Sequence, residues 1–336
     1  YSVLSMIHLV FTGGTISMVR DERAGGNVPT HGGEALVGFA PELASVAPFL
    51  IDDWGRYPAC HMGPEKLWEL RNHVAAVMRE AQPDGIVITH GTDTIEETAY
   101  LLARTLDPAI PIAITGAMLT SSDAGWDGPR NLTDAARVAA NPSSRGRGTM
   151  VVFAGRIFGG LAVAKLQATA IESFGNPHGD ALGRLNGQAV EFTHPPSGRE
   201  VLNPPSLSAR VALVAMVIGD NGELLDLARP THDGVVVVAF GSGNLPPGAV
   251  PAIRRWVAEG KPVVLASRCT YGEVTPVYAF PGGGATLVRD GVIPAGPRTP
   301  SQARMELAIC LSAGVAYGGG TGERGNPQGL PRSGAR

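Results

Sequence analysis

The chain alternates short apolar runs with helix-patterned stretches, and that alternation restricts it to α/β architectures. Residues 6–11, 85–89, 110–115 and 150–154 are β-branched and almost wholly apolar, the pattern of strands buried on both faces. Between them, residues 64–81 place Leu67, Leu70, Val74, Val77 and Met78 on one helical face. Residues 94–106 are predicted as a second helix, begun by a Thr94-x-x-Glu97 capping box, and 131–140 as a third. Strands alternating with helices imply βαβ units and a mostly parallel sheet. From about 191 to 210 the pattern dissolves into Pro, Ser and Asn. Beyond it, predicted strands at 211–217, 234–240 and 262–267 alternate with helices at 247–259 and 301–313. The expected fold class is α/β in two domains. A larger N-terminal domain, 1–190, has a mostly parallel sheet flanked by helices. A linker, 191–210, leads to a smaller Rossmann-like domain, 211–316. The Gly-, Pro- and Arg-rich tail, 317–336, reads as disordered.

Two segments follow strands directly: Thr12-Gly13-Gly14-Thr15-Ile16 and Thr89-His90-Gly91-Thr92-Asp93-Thr94. Open α/β sheets bind ligands at the carboxyl ends of their strands. The first segment lacks the GxGxxG spacing and the Lys-Ser/Thr of a phosphate loop, which disfavours a nucleotide. Two readings remain for it: a tight turn whose threonines satisfy backbone groups, or a threonine nucleophile beside glycine amides that stabilise an oxyanion. The polar, glycine-bearing residues 17–34 are a candidate mobile lid. Thr92 and Asp93 suit a helix start as caps; equally, the carboxylate suits a substrate ammonium and the hydroxyl suits attack or the positioning of a water.

Among 27 basic residues only three are lysines: Lys66, Lys165 and Lys261. Lys66 falls at a helix start and Lys261 in a turn, both solvated settings. Lys165 lies within Leu161-Ala-Val-Ala-Lys-Leu166. Arginine cannot give up its proton, whereas a lysine desolvated by an apolar wall or set near a cation can accept one from a threonine hydroxyl. His90 reads as structural. The eight histidines form no HxxxH or HxH group, so no catalytic metal is expected. Cys60, Cys269 and Cys310 are odd in number and form no CxxC pair, which argues against disulfides and zinc and for a reducing cytoplasm. A net charge of −3 without a basic stripe disfavours nucleic acid. No apolar run approaches the roughly 20 residues of a membrane span. The first eleven residues carry no basic region ahead of an apolar core and read as a strand rather than a signal peptide.

Taken together these residues resemble the bacterial-type L-asparaginases, a family that includes the glutaminase-asparaginases and a related archaeal amidotransferase subunit. Thr12–Ile16 matches one signature, and the sixteen residues 85–100 match a second. Gly116-Ala117-Met118, Asp127-Gly-Pro129 with Asn131-Leu132, Lys165, Ser173-Phe174, Gly183, Gly243-Asn244-Leu245 and Ser267-Arg268 follow in the family's order, so the resemblance spans about residues 5–315. It implies two α/β domains and a homotetramer of intimate dimers, or at least a homodimer, with sites shared between subunits. It also implies hydrolysis of a side-chain amide to an acid and ammonia without a cofactor. Thr15 is then the nucleophile, and Lys165 activates Thr92. Asp93 binds the substrate's α-ammonium, while Gly14, Gly91, Thr92 and Ala117 face the small-molecule amide. Asn244 reaches a neighbouring subunit's site.

Three departures accompany the resemblance. Ala59, three residues before Met62, stands where the family usually has a serine that binds the α-carboxylate. An alanine cannot donate that bond, and losing a hydrogen bond to a charged group costs about 1.5–3 kcal/mol; Cys60 and His61 are the neighbours able to compensate. No tyrosine occurs in residues 17–36, where one usually orients the first threonine. Gln302 replaces a usual lysine and is expected to be structural. Glu273 is the candidate for a late catalytic glutamate. Besides asparagine hydrolysis, the residues allow the same mechanism on another amide (a modified amino acid, a lactam or a peptide amide), or a non-catalytic amino-acid-binding relative.

Overall fold

The first apolar run becomes β1 (Ile7–Phe11), an interior strand of an eight-stranded sheet in the computed structural model, which describes residues 6–107, 109–195 and 200–318. An antiparallel hairpin of β2 (Met18–Asp21) and β3 (Gly26–Pro29) follows, then α1 (Gly33–Gly38) and β4 (Phe49–Asp52). Three βα repeats come next. α2 (Pro64–Glu80) leads to β5 (Gly85–Thr89), α3 (Ile95–Thr105) to β6 (Ile112–Thr115), and α4 (Gly128–Ala140) to β7 (Thr149–Phe153). β8 (Arg156–Gly159), the two-residue strands β9 (Ala164–Lys165) and β10 (Phe174–Gly175), β11 (Gly183–Asn186) and β12 (Ala189–Phe192) complete this part.

The sheet order is β12-β11-β8-β7-β6-β5-β1-β4. From β4 to β7 every pairing is parallel, and β8, β11 and β12 extend the sheet antiparallel. Every residue of β5, β6 and β7 is buried, as continuous apolar runs require when helices cover both faces. On one face pack α1 and α4; on the other lie α2 and α3, with Leu67, Leu70, Val74 and Val77 of α2 buried as their spacing predicts.

A second, all-parallel sheet has the order β13 (Val211–Ala215), β14 (Gly234–Ala239), β15 (Val263–Ser267), β16 (Ile293–Pro294). Its helices are α5 (Glu223–Ala228), α6 (Val250–Ala258), α7 (Gly284–Arg289) and α8 (Pro300–Ser312). α8 packs on β14 and also on α3, so one hydrophobic cluster runs through both sheets. A buried ion pair crosses the same seam: Arg104 Nε of α3 donates to Glu306 Oε2 of α8 at 3.0 Å, and the Tyr100 hydroxyl donates to the same oxygen at 3.0 Å.

Two expectations change here, and the lid segment takes a definite form. Thr94 precedes α3, but its side chain does not cap it; the hydroxyl donates to the Ala59 carbonyl at 3.2 Å, and Glu97 approaches Arg304 at 3.5 Å instead of returning to the cap. Tertiary partners have outcompeted the local box. The candidate lid is a regular hairpin, held at its base where the Ser17 carbonyl accepts from Thr30 N and His31 N, and on its side where Arg20 N donates to Ser122 Oγ at 3.0 Å. Tyr317, expected to open the tail, donates its hydroxyl to the Ala295 carbonyl at 3.2 Å. The rest of that expected disordered tail, 319–336, lies outside the described residues, as do residues 1–5.

Candidate active site

β1 and β5 are neighbours, so the loops that leave their carboxyl ends emerge side by side. Thr12 closes the first strand structurally: its hydroxyl donates to the Thr89 carbonyl at 2.7 Å. Gly14 then presses onto the second loop. A Cβ on it would fall 2.4 Å from Gly91 N, and its φ of 87° is left-handed, so only glycine fits on both counts. Gly91 is tight in turn, its absent Cβ lying 2.5 Å from the Ala59 Cβ. Three segments, carrying Thr15, Thr92 and Ala59, therefore meet at one crevice floor. Gly116 and the buried Ala117 continue it at the end of β6. Asp127 and Asn131 fix that third loop, Asp127 accepting from Met118 N and Leu119 N and Asn131 donating to the Gly116 carbonyl.

The glycine amide of the first loop is not free for an oxyanion. Gly14 N donates to the Tyr57 carbonyl at 3.0 Å, where Tyr57 continues the parallel pairing beyond the strand end. The backbone N–H groups of Thr15 and Thr92 have no protein acceptor among the described residues. Nor does the Thr15 hydroxyl have a partner among them.

Lys165 is carried on β9. Its Nζ donates to Thr92 Oγ1 at 2.9 Å and to Asp93 Oδ1 at 2.8 Å. The lysine side chain is 16% exposed and the Asp93 side chain 72%. The charged group that Lys165 hydrogen-bonds is thus a carboxylate. The two-residue β9–β10 ladder gives Lys165 little backbone support of its own. Glu96, one turn past Asp93, supplies more: its Oε2 accepts from Lys165 N at 2.7 Å. Burial pushes the Glu96 carboxyl above the ordinary carboxylate range, and the bond from Lys165 N opposes that rise. Sequence reasoning missed Glu96. The only available signal was its i,i+3 spacing from Asp93, which puts both on one side of the turn.

His90 is fully buried. Its Nδ1 donates to the Gly91 carbonyl at 2.9 Å, and its Nε2 faces the Thr98 hydroxyl at 3.0 Å. Burial lowers its pKa from the ordinary imidazole value, the Gly91 bond opposing. It is a satisfied core histidine, as its sequence context suggested. Ala59 is buried, and Cys60 and His61 beside it are exposed. A cavity of about 270 Å³ opens beside Lys165, walled by Glu96, His178, Arg268 and Glu273 among others. Glu273 thus shares a cavity with Lys165. Asn244 follows β14, where its Oδ1 accepts from Gly284 N at 3.4 Å; no hydrogen bond joins it to Thr92 or Lys165. No group of three or more His, Cys, Asp or Glu placed to hold a metal occurs among the described residues.

Residues 6–198 match the family described as Asparaginase, N-terminal, and residues 210–317 match the Glutaminase/Asparaginase C-terminal domain. A relative from Deinococcus radiodurans named Probable L-asparaginase is 37% identical over 318 residues, covering 93% of this chain and 95% of its own. An L-asparaginase from Bacillus licheniformis is 29% identical, covering 91% and 95%. The crystal structure of a probable cytoplasmic L-asparaginase from Campylobacter jejuni superposes with a TM-score of 0.81 at 26% identity, over 92% of this chain and 95% of that one.

Proposed function

Since the chain belongs to the bacterial-type L-asparaginase family, we propose that it hydrolyses the side-chain amide of L-asparagine to L-aspartate and ammonia through a threonine nucleophile. The observation that carries this reading is the contact of Lys165 Nζ with Thr92 Oγ1 and Asp93 Oδ1, on a loop packed directly against the Gly14–Thr15 turn. In the proposal Thr15 Oγ1 adds to the amide carbon. The unshared N–H groups of Thr15 and Thr92 receive the oxyanion. The C–N bond breaks, and ammonia leaves with the proton of the threonine hydroxyl. Water then cleaves the ester, releasing the carboxylate and restoring Thr15. Lys165 Nζ, 2.9 Å from Thr92 Oγ1, is the group placed to relay the Thr92 proton, which lets Thr92 guide that water. Asp93, exposed to the crevice, holds the substrate ammonium. Hydroxyl, amine and carboxylate suffice for this chemistry without a cofactor.

A homotetramer or homodimer in which Asn244 serves a neighbouring subunit's site is part of the same proposal; the lack of a hydrogen bond from Asn244 to Thr92 or Lys165 of its own chain fits it. The reading extends also to a cytoplasmic location, supported by free Cys60, Cys269 and Cys310 and by the description of the Campylobacter relative. Among the described residues no helix is long and apolar enough to cross a membrane. A second reading, the same mechanism on another amide, is favoured by one observation: buried Ala59 offers no side-chain donor to an α-carboxylate.

Ammonia release from asparagine, glutamine and their D-forms tests both. Saturable release from L-asparagine is expected, and Thr15→Ala is expected to lower it by at least about 10³-fold in a folded protein. Release from none of the four amides, with covalent capture of an electrophilic amide analogue, selects the second reading. An unchanged rate in Thr15→Ala removes Thr15 as the nucleophile.

A further inference from the structure

We propose that Glu96 is a positioning residue for Lys165, and that α8 completes its setting; the inference rests on the functional reading above. Lys165 is held at two ends by one short stretch of chain. Its Nζ reaches Thr92 and Asp93, and its backbone N–H reaches Glu96 Oε2 at 2.7 Å. The reach of the side chain is therefore fixed relative to the hydroxyl it serves, because both anchors belong to the same turn at the start of α3. β9 alone does not do this, since its ladder with β10 has only two residue pairs.

The carboxyl of Glu96 is itself braced. It lies near Ser301, in the first turn of α8, whose hydroxyl opposes part of the rise that burial causes. The next residue, Gln302, is fully buried, and its Nε2 donates to the Val163 carbonyl at 2.9 Å, two residues before Lys165. The start of α8 thus holds the lysine segment through Gln302, and Ser301 sets the surroundings of Glu96. Glu96 touches neither Thr92 nor Asp93 by hydrogen bond, so its action passes through Lys165. Misplacing a reacting group by about 1 Å can cost about 10²-fold in rate.

The test compares wild type, Glu96→Ala and Glu96→Gln by steady-state kinetics on L-asparagine. In parallel, trinitrobenzenesulfonate labels lysines on the same proteins, with sites read by mass spectrometry. The chain has only three lysines, so Lys66 and Lys261 serve as internal references. In Glu96→Ala, kcat is expected to fall about ten- to a hundred-fold with KM within about two-fold, and Lys165 is expected to label several-fold faster against the references. Glu96→Gln keeps an oxygen for the Lys165 N–H, but a neutral acceptor is about half as strong as a charged one. It is expected to lie between the other two in both readouts. Wild-type kcat in a folded variant overturns the proposal, and so does a fall in kcat without faster labelling of Lys165. Where Glu96→Ala fails to fold, Glu96→Gln decides by the same two criteria. Labelling needs no turnover: wild type inert on asparagine would refute the functional reading and leave the labelling result to judge Glu96.

Discussion

At the scale of single residues, the crevice is built by absence as much as by functional groups. Gly14 lacks the Cβ that would push the two hydroxyl-bearing loops apart, and Gly91 the one that would push away Ala59. Ala59 lacks a hydroxyl at the point where the third segment meets them. If asparagine is the substrate, Ala59→Ser restores a donor to the α-carboxylate and is expected to lower KM about ten-fold or more, the equivalent of about 1.5–3 kcal/mol. Unchanged KM in steady-state kinetics would assign the carboxylate to other groups. The crevice residues Thr92, Asp93 and Lys165 were legible in the sequence because their chemistry is written in their side chains, and because lysine is scarce in this chain. Glu96 was not, since its partner is a backbone N–H, which leaves no residue-type pattern. The occupied Gly14 amide escaped for the same reason: the Tyr57 carbonyl that takes it exists at every position of every chain.

Among elements, two helix starts carry the same threonine-x-x-acid/amide pattern and behave differently. Thr299 and Gln302 form the reciprocal box at α8, with Thr299 N donating to Gln302 Oε1 at 3.0 Å and Gln302 N to Thr299 Oγ1 at 3.3 Å. Thr94 does not, because the Ala59 carbonyl claims its hydroxyl. Pattern alone cannot separate these cases; a tertiary acceptor decides between them. Thr299→Ala is expected to cost about 1 kcal/mol of stability in urea unfolding, as an N-cap loss should. The same contrast explains which strands could be read in advance. β5 occupies residues 85–89 just as its apolar run indicates, because burial on both faces writes a continuous signal. β4 exposes Leu50 and Ile51 at the sheet edge, and β9 and β10 are two residues each, too short to show any period.

For the whole molecule, the decisive feature is that the two sheets share α8. Glu306 is completely buried there and Arg104 nearly so. Removing that carboxylate takes the acceptor from Arg104 Nε and from the Tyr100 hydroxyl inside the core, so Glu306→Ala is expected to destabilise the protein by about 3–5 kcal/mol, read as a large drop in thermal midpoint. An effect below about 1 kcal/mol would mean that other groups or solvent satisfy these donors once the carboxylate is gone. The shared helix also imposes an order on biosynthesis. The hydroxyls and the amine of the crevice all precede residue 166, yet Gln302, which holds the Val163 carbonyl two residues before the amine-bearing Lys165, belongs to α8. A ribosome must therefore translate nearly the whole of the described chain before that brace exists, and a nascent polypeptide halted midway would carry these side chains without it.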